Sequence, residues 1–553
     1  MNDLSATGSF HSAIQAAFGA CAPTSEPIGY VSGVGGAGSE LVFDVAALAP
    51  LAGHHDPIVA AAGQMGGQVK VRVDDRWLVA SVRSLGLSEG RTDRIVARID
   101  FMGEAQVDAA GDGLRGFRRG VTRYPMPGDE AYPMTEEDLR QVYAVSDKPV
   151  ITIGRVYPTR DVRASLFVDP LLGKHFALLG STGTGKSTAA ALILHRLCDS
   201  APEAHIVMID PHGEYGAAFR GRGELLDVSN LQMPYWLMNF EEHCEVLLQS
   251  SGPDRQLETD ILAKCLLAAR AKGRLGQDIP KLTVDAPVPY LLSDLSQILQ
   301  QEMGKMDRAG DVAPYLRIKN KLDEIKGDPR YAFMFAGMLV ADSMAAFVSR
   351  VFRLPGDGRP ISIIDLSGVP SEVTSVVVAV LSRMVFDFAI WSRNEPRRPV
   401  LLMCEEAHRY VPSDREAGSS VSRILGRIAK EGRKYGVSLG LVTQRPSDLA
   451  EGVLSQCGTI IAMRLNNERD QAFVRAAMPE GARGFLDTLP ALRNRECIIC
   501  GEGVSIPIRA SFDTLDEDQR PASADPIFSE LWREQGGEDQ SIARTIQRWR
   551  LGR

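Results

Sequence analysis

Gly180-Ser181-Thr182-Gly183-Thr184-Gly185-Lys186-Ser187 fits the pattern G-x-x-x-x-G-K-[ST]. Glycines at this spacing let consecutive backbone N–H groups turn inward around phosphate oxygens. The lysine reaches the β- and γ-phosphates, and the serine hydroxyl binds Mg²⁺. The flanking residues supply the context that this chemistry needs. His175-Phe-Ala-Leu-Leu179 predicts a short buried strand entering the loop. Thr188-Ala-Ala-Ala-Leu-Ile-Leu-His-Arg-Leu197 predicts a helix leaving it, with its N-terminus aimed at the anion. Strand, loop and helix in register make this a nucleotide-binding loop rather than a chance glycine-rich turn. ATP phosphates are expected at Gly180, Thr182, Gly183, Thr184, Gly185, Lys186, Ser187 and Thr188, with Mg²⁺ at Ser187.

Downstream, His205-Ile-Val-Met-Ile-Asp210 reads as a second buried strand ending in Asp210-Pro-His-Gly-Glu214-Tyr215. Carboxylates at the C-terminal ends of such strands lie where open α/β sheets keep their chemistry. Asp210 and Glu214 could orient water or Mg²⁺, or cap a turn; the residues leave both readings open. Ile361-Ser-Ile-Ile-Asp-Leu366 is a further strand. Val400-Leu-Leu-Met-Cys404 is another, and it delivers Glu405-Glu406-Ala407-His408. A hydrophobic strand ending in two acids downstream of a P-loop is a Walker B element. Its first carboxylate, Glu405, holds Mg²⁺ through water, and its second, Glu406, polarises the attacking water as general base. Val421, Ile424, Leu425 and Ile428 recur at helical spacing up to Glu431-Gly-Arg-Lys-Tyr-Gly436. Val437-Ser-Leu-Gly-Leu-Val-Thr443-Gln444 then forms a strand whose polar end suits a γ-phosphate sensor. Arg433, read as lying beyond the helix end, could reach a neighbouring subunit's nucleotide as an arginine finger or serve as a basic C-cap. Spacing does not choose between them.

The remainder of the chain is read around this core. Residues 1–24 predict an amphipathic helix with Phe10, Ile14 and Phe18 on one side. Residues 25–155 carry short alternating runs such as Gln68–Val73, Trp77–Val82 and Arg94–Ile99, punctuated by glycine. This pattern predicts a small β-barrel for assembly or docking, since no catalytic constellation occurs there. Residues 156–244 and 351–512 form the two parts of the nucleotide-binding core, separated by a helical insertion at 245–350. Residues 513–553 form a tail in which Ile542, Ile546, Trp549 and Leu551 make an apolar stripe on a basic helix, suited to docking on a neighbouring subunit. Lys305, Arg317, Lys319 and Lys321 of the insertion read as a solvated face rather than a polyanion site. The expected fold is therefore α/β, a RecA-like P-loop core with an N-terminal barrel and a helical insertion.

At 553 residues the chain exceeds one ordinary domain, and 44% hydrophobic with 24% charged residues describes a globular protein. The start, Met1-Asn-Asp-Leu-Ser, has no basic region of the secretory type. Val373 to Trp391 is apolar but interrupted by Arg383 and Asp387, which suits a buried helix better than a membrane span. Eight scattered cysteines fit a reducing cytoplasm, and Cys497-Ile-Ile-Cys500 has no second pair near it to make a metal site. A net charge of −8 argues against coating nucleic acid over the whole surface, but leaves room for a basic channel.

Walker A, Asp210–Tyr215, Glu405–His408, Glu431–Gly436 and Thr443–Leu449, in this order behind a β-rich N-terminal region, resemble the HerA family of hexameric DNA translocases. This family belongs to the wider FtsK–HerA group, and the likeness covers about residues 25–515. The resemblance implies a HAS-type barrel over 25–155 and a six-membered homo-oligomeric ring with ATP sites between subunits. It implies phosphate and Mg²⁺ binding by Lys186 and Ser187, a Walker B pair at Glu405 and Glu406, a sensor at Gln444 and a trans finger at Arg433. It also implies an extra basic residue near the nucleotide at Lys174. Glu405 departs from the Asp common in P-loop motors, yet its longer side chain still holds Mg²⁺ through water. Double-stranded DNA would pass through the pore, tracked by a few basic groups per subunit. Arg415 or its neighbours in the polar loop Pro412–Ser420 are expected to face DNA.

Motors of this family work with a separate nuclease such as NurA, and this chain has no nuclease motif. Similar bacterial motors sit beside anti-phage effectors, such as sirtuin-like NAD-consuming enzymes or nucleases. The ring would then be chiefly a scaffold with its barrel face as the docking surface. A conjugation or secretion coupling ATPase is disfavoured because no membrane anchor is read.

Overall fold

The computed structural model describes residues 24–551 apart from 36–37, 89–90, 110, 145–147, 306–308, 337–339, 414–417, 479–482, 523–527 and 534–538. The run carrying Phe10, Ile14 and Phe18 lies outside the described residues, as does Arg415. The chain divides into two compact units. One comprises Met1–Ser200, Glu406–Asp414 and Ser438–Leu515, and the other Ala201–Glu405, Arg415–Val437 and Asp516–Arg553.

The first unit begins with β1 (Gly29–Val34), β2 (Gly38–Asp44), β3 (Gln68–Val73), β4 (Arg76–Ser88), β5 (Arg91–Val107), β6 (Leu114–Arg119) and β7 (Glu130–Pro133). Their hydrogen-bonded order is β2-β1-β7-β3-β4-β5-β6. β2 also pairs with β5, from Gly38↔Asp100 to Asp44↔Arg94. That pairing closes six strands into a barrel, with β6 outside the ring, and removes the open edges that invite aggregation. Alternate residues fill the interior: Val31, Leu41, Phe43, Val69, Val71, Leu78, Ala80 and Ala97 are fully buried. β4 and β5 are long enough to bend, and register shifts at Val79/Ala80 and Val82/Ser84 supply the kinks.

The charges buried in this region include a linked ion pair. Lys70 pairs with Asp138 at 2.8 Å, and their side chains are 5% and 3% exposed. Asp138 also completes the capping box with Thr135 that starts the helix Glu136–Val142. Lys70 therefore fastens that helix to β3.

The same unit holds β8 (Val150–Val156), β9 (Arg163–Phe167), β10 (Phe176–Leu179), β15 (Val437–Thr443), β16 (Thr459–Met463), β17 (Glu496–Gly501) and β18 (Ile508–Phe512), in the order β15-β10-β16-β17-β18-β8-β9. β10 runs parallel to β15 and β16, and all four of its residues are buried. A continuous apolar run is what a parallel strand covered on both faces requires. From β16 onward the pairing is antiparallel. Cys497 and Cys500 on β17 are both buried and free. Three residues apart on a strand, they point to opposite faces.

The second unit contains β11 (His205–Asp210), β12 (Gly223–Leu226), β13 (Ile361–Asp365) and β14 (Val400–Cys404), all parallel in the order β12-β13-β11-β14. Between β12 and β13 lie helices that include Gly252–Lys272, Leu292–Met303, Ala309–Gly327 and Met344–Phe352. Their basic residues are neutralised locally. Lys305 pairs with Glu302, Arg317 with Glu258, Lys319 with Asp323 and Lys321 with Glu324. This is the solvated-face arrangement.

Two arginines, Arg383 half-buried and Arg270 fully buried, hold the inserted helices in place. Arg383, on the helix Ser371–Trp391, donates to both carboxylate oxygens of Glu242 at 2.9 Å. Glu242 in turn caps the helix Phe240–Leu247 with Asn239. Arg270 is fully buried and donates to the carbonyls of Val284 at 2.5 Å, Ala286 at 2.6 Å and Met238 at 2.8 Å. Nearby, burial pushes His243 down to about 3, so its ring stays neutral beside the Tyr290 hydroxyl at 2.9 Å.

The helix Ser371–Trp391 has the length and mean hydropathy, 1.9, of a membrane span, yet 67% of its apolar window is buried inside the protein. It packs against the helix Ser420–Tyr435, with Phe386 edge-on to Tyr435 at 5.6 Å and Arg427 over the Phe386 ring. It is a core helix. The helix Asp539–Leu551 exposes Ile542, Ile546 and Trp549.

Candidate active site

The first unit carries the loop between β10 and the helix Lys186–Ser200. Gly183 and Gly185 have φ of +77° and +96°, conformations that side chains avoid. A Cβ at Gly180 would stand 2.8 Å from the Met463 Cβ and 3.0 Å from Thr184 Oγ1, so the close approach requires glycine. The loop is held from several sides. The Ser181 N–H donates to Arg464 O at 2.9 Å, and the Gly180 N–H donates to Thr443 O at 3.3 Å. The Thr184 hydroxyl donates to Ser181 O at 2.8 Å. The Lys186 ammonium lies across the loop, donating to Ser181 O at 3.2 Å. Ser187 and Thr188 occupy the first turn of the helix, where free N–H groups attract anions. This cradle fits a nucleotide triphosphate.

The carboxylate pair is divided between the units. Glu406 opens the segment Glu406–Asp414 of the first unit in a left-handed conformation, φ 51° and ψ 44°. For a non-glycine residue this costs about 1–3 kcal/mol and persists where the surroundings enforce it. The Arg409 N–H donates to Glu406 O at 2.9 Å, closing the turn. The Glu406 side chain is 9% exposed. Its Oε2 has no hydrogen-bond partner among the described residues. It does lie 3.2 Å from His408 Nδ1, within ion-pairing distance but not aligned for a hydrogen bond. A buried carboxylate oxygen without a partner suits a base awaiting water.

His408 Nδ1 is 3.0 Å from Thr443 Oγ1 at the end of β15. Burial lowers the His408 pKa, and Glu406 opposes that shift. The next residue, Gln444, accepts the hydroxyl of Thr182 from the P-loop. The geometry of the first unit thus joins Lys186, Glu406 and Gln444 to one loop-and-strand-end cluster.

In the second unit, Glu405 is 4% exposed, and its Oε2 accepts the Tyr215 hydroxyl at 2.7 Å. Asp210 takes the turn-capping role. Its carboxylate accepts the N–H groups of His212 at 3.2 Å, Gly213 at 2.9 Å and Tyr215 at 2.9 Å. Burial nevertheless raises its pKa, with Asp365 adding to the rise. That turn fixes Tyr215, so Asp210 acts on Glu405 through Tyr215. The Glu214 carbonyl accepts the Ala522 N–H at 2.8 Å. Among the described residues no three acidic, His or Cys side chains cluster as a metal cage. A Mg²⁺ that takes most of its oxygens from phosphates and water needs only Ser187 and a carboxylate from the protein.

Two expectations change. Arg433 lies inside the last turn of the helix Ser420–Tyr435 rather than beyond it, because Gly436, at φ 80°, is the left-handed residue that ends the helix. Its side chain is exposed. Lys174 sits at the start of β10, the opposite end from the P-loop, and its ammonium pairs with Glu502. Four strand residues at about 3.3 Å each separate it from the loop of its own chain. Tyr215 and His408 were not assigned contacts from sequence. Both lay inside quoted motifs, and their position beside acids was the available signal.

Residues 151–385 match the family model described as Helicase HerA, central domain. The chain is 25% identical over 529 residues to "DNA double-strand break repair helicase HerA" of Pyrococcus furiosus, covering 87% of this chain and 89% of that one. It is 28% identical over 469 residues to "Probable DNA double-strand break repair helicase HerA" of Methanocaldococcus jannaschii, covering 77% and 88%. Among solved structures, VirB4 of Thermoanaerobacter pseudethanolicus superposes with a TM-score of 0.48 at 15% identity, covering 68% of this chain and 99% of that chain.

Proposed function

The chain belongs to the HerA family and is an ATPase of the helicase type, and from that premise we propose that it is an ATP-driven translocase of double-stranded DNA. The proposed machine is a cytoplasmic homo-hexameric ring working with a partner nuclease of the NurA kind. The single observation that carries the reading is the first unit's cluster: the P-loop, an unpartnered buried Glu406 oxygen, and Gln444 hydrogen-bonded to Thr182.

Bound Mg·ATP supplies the phosphoanhydride to be cleaved and the cation that neutralises its charge. Lys186 exchanges its Ser181 carbonyl for phosphate oxygens. The N–H groups of Gly183, Thr184 and Gly185 line the phosphate cradle, with Ser187 as the residue of this unit that would hold the metal. Glu406 accepts the proton of the attacking water at Oε2. Gln444, released from Thr182, reports the terminal phosphate.

Arg433, exposed at a helix end, is proposed to stabilise the transition state at a neighbouring subunit's site. Arg433→Ala is expected to lower turnover by roughly 10³-fold, the low end of the arginine-finger range. Mixing Arg433→Ala with Glu406→Gln protein regains activity if the finger acts in trans, because some interfaces then hold both intact groups. No recovery on mixing rules out the trans role.

The test of the whole reading is ATP hydrolysis with and without linear duplex DNA. Strong stimulation supports a motor. Indifference to DNA in a well-formed ring overturns it. That result would favour a scaffold that assembles a defence effector, sirtuin-like or nuclease, on the barrel face.

A further inference from the structure

We propose that His408 is a positioning residue that couples Glu406 to the nucleotide loop through Thr443. This inference rests on the reading of Glu406 as the base.

Thr443 is the hub of this linkage. It is fully buried, and its carbonyl and its hydroxyl are both committed. Its carbonyl accepts the Gly180 N–H at 3.3 Å, and its hydroxyl oxygen accepts the Arg445 N–H at 3.1 Å. The hydroxyl faces His408 Nδ1 at 3.0 Å, and the same nitrogen stands 3.2 Å from Glu406 Oε2. A shift of the loop on binding phosphates therefore reaches the imidazole through one residue.

A neutral imidazole carries one N–H, so Nδ1 has two states. As acceptor it receives a hydrogen bond from the threonine hydroxyl, and the ring so pinned stands against the Glu406 carboxylate and holds it in the orientation that leaves Oε2 open to water. As donor it turns toward Glu406 Oε2 and occupies it. Thr443 decides which state holds, because its hydroxyl hydrogen, already excluded from the Arg445 N–H, points to Nδ1 only while β15 and the loop keep their register. The P-loop thereby governs when the carboxylate is available.

The experiment is steady-state, DNA-stimulated ATP hydrolysis by the full chain, with binding of a fluorescent ATP analogue measured alongside. His408→Ala is expected to lower kcat by roughly tenfold or more, a positioning loss, with KM for ATP and analogue binding near wild type. Thr443→Val, of the same shape without the hydroxyl, is expected to do the same. The double variant should lose no more than either single one, since both cut one linkage. His408→Asn, which returns an amide near the place of Nδ1, should recover most of the loss.

Wild-type kcat in His408→Ala or Thr443→Val, losses that multiply in the double variant, or a defect confined to KM would each overturn the proposal. If the alanine variant fails to fold, Thr443→Val and His408→Asn decide it alone. Glu406→Gln separates the two layers. Unimpaired turnover in that variant would remove the base assignment itself, whereas an inactive Glu406→Gln beside a fully active His408→Ala removes only the coupling.

Discussion

Glu406→Gln is expected to reduce ATP turnover by roughly 10²–10⁴-fold, the contribution of a positioned general base, while ATP binding persists. The substitution keeps the side chain's shape, its burial and the left-handed turn closed by Arg409 N–H. What it removes is the ability to accept a proton at Oε2, the buried oxygen without a hydrogen-bond partner. A protein that binds nucleotide and DNA but does not turn over is the expected phenotype. It is read by analogue binding and by phosphate release in the same preparation. Turnover near the wild-type rate would place the base elsewhere.

The largest expected effect on stability lies far from the nucleotide. Arg270→Ala removes a guanidinium that is 0% exposed and leaves the carbonyls of Met238 and Val284 without that donor, while Ala286 O keeps only the Val288 N–H at 2.8 Å. Stranding buried acceptors and opening a cavity is expected to cost about 3–5 kcal/mol. These carbonyls belong to segments separated in sequence, so the loss loosens the inserted helices from Met238 to Ala286 together. Calorimetry should show a clearly lower midpoint for the transition that includes the second unit. Arg270→Lys, which keeps the charge but offers no planar fork, should recover only part of the loss. An unchanged midpoint in Arg270→Ala would show that the Met238 and Val284 carbonyls find other partners.

The candidate site was legible in the sequence wherever the chemistry is contiguous. Eight consecutive residues make the P-loop, and their glycine torsions depend on neighbours a few positions away. The same holds for the apolar strand that delivers Glu405 and Glu406, and for Gly436 as the end of its helix. Arg433 was misplaced because a helix end is set within a turn by a left-handed residue, and the run Glu431–Gly436 offers glycine at both ends. Lys174 was misplaced for a different reason. Proximity along the chain is not proximity in space when a strand intervenes, and β10 carries Lys174 and Gly180 to opposite ends. The open choice at Asp210 needed hydrogen bonds to close it, because a capping carboxylate and a metal-ordering one share the same residue type and strand position.

By itself the sequence determined the α/β alternation, the P-loop, the acid pair, the barrel's β character and the helical insertion, though not the length of β4 and β5. All of these follow from periodicity and local backbone preference, which act over a few residues. Only the tertiary structure decided which strands close the barrel, that Tyr215 holds Glu405, that Lys70 is neutralised by Asp138, and that His408 stands between Glu406 and Thr443. Each of these joins groups brought together by topology, from 35 residues apart for His408 and Thr443 to 190 for Tyr215 and Glu405. A side chain's charge and reach are written in its residue type, but its partner is chosen by the packing of segments whose separation along the chain carries no distance information.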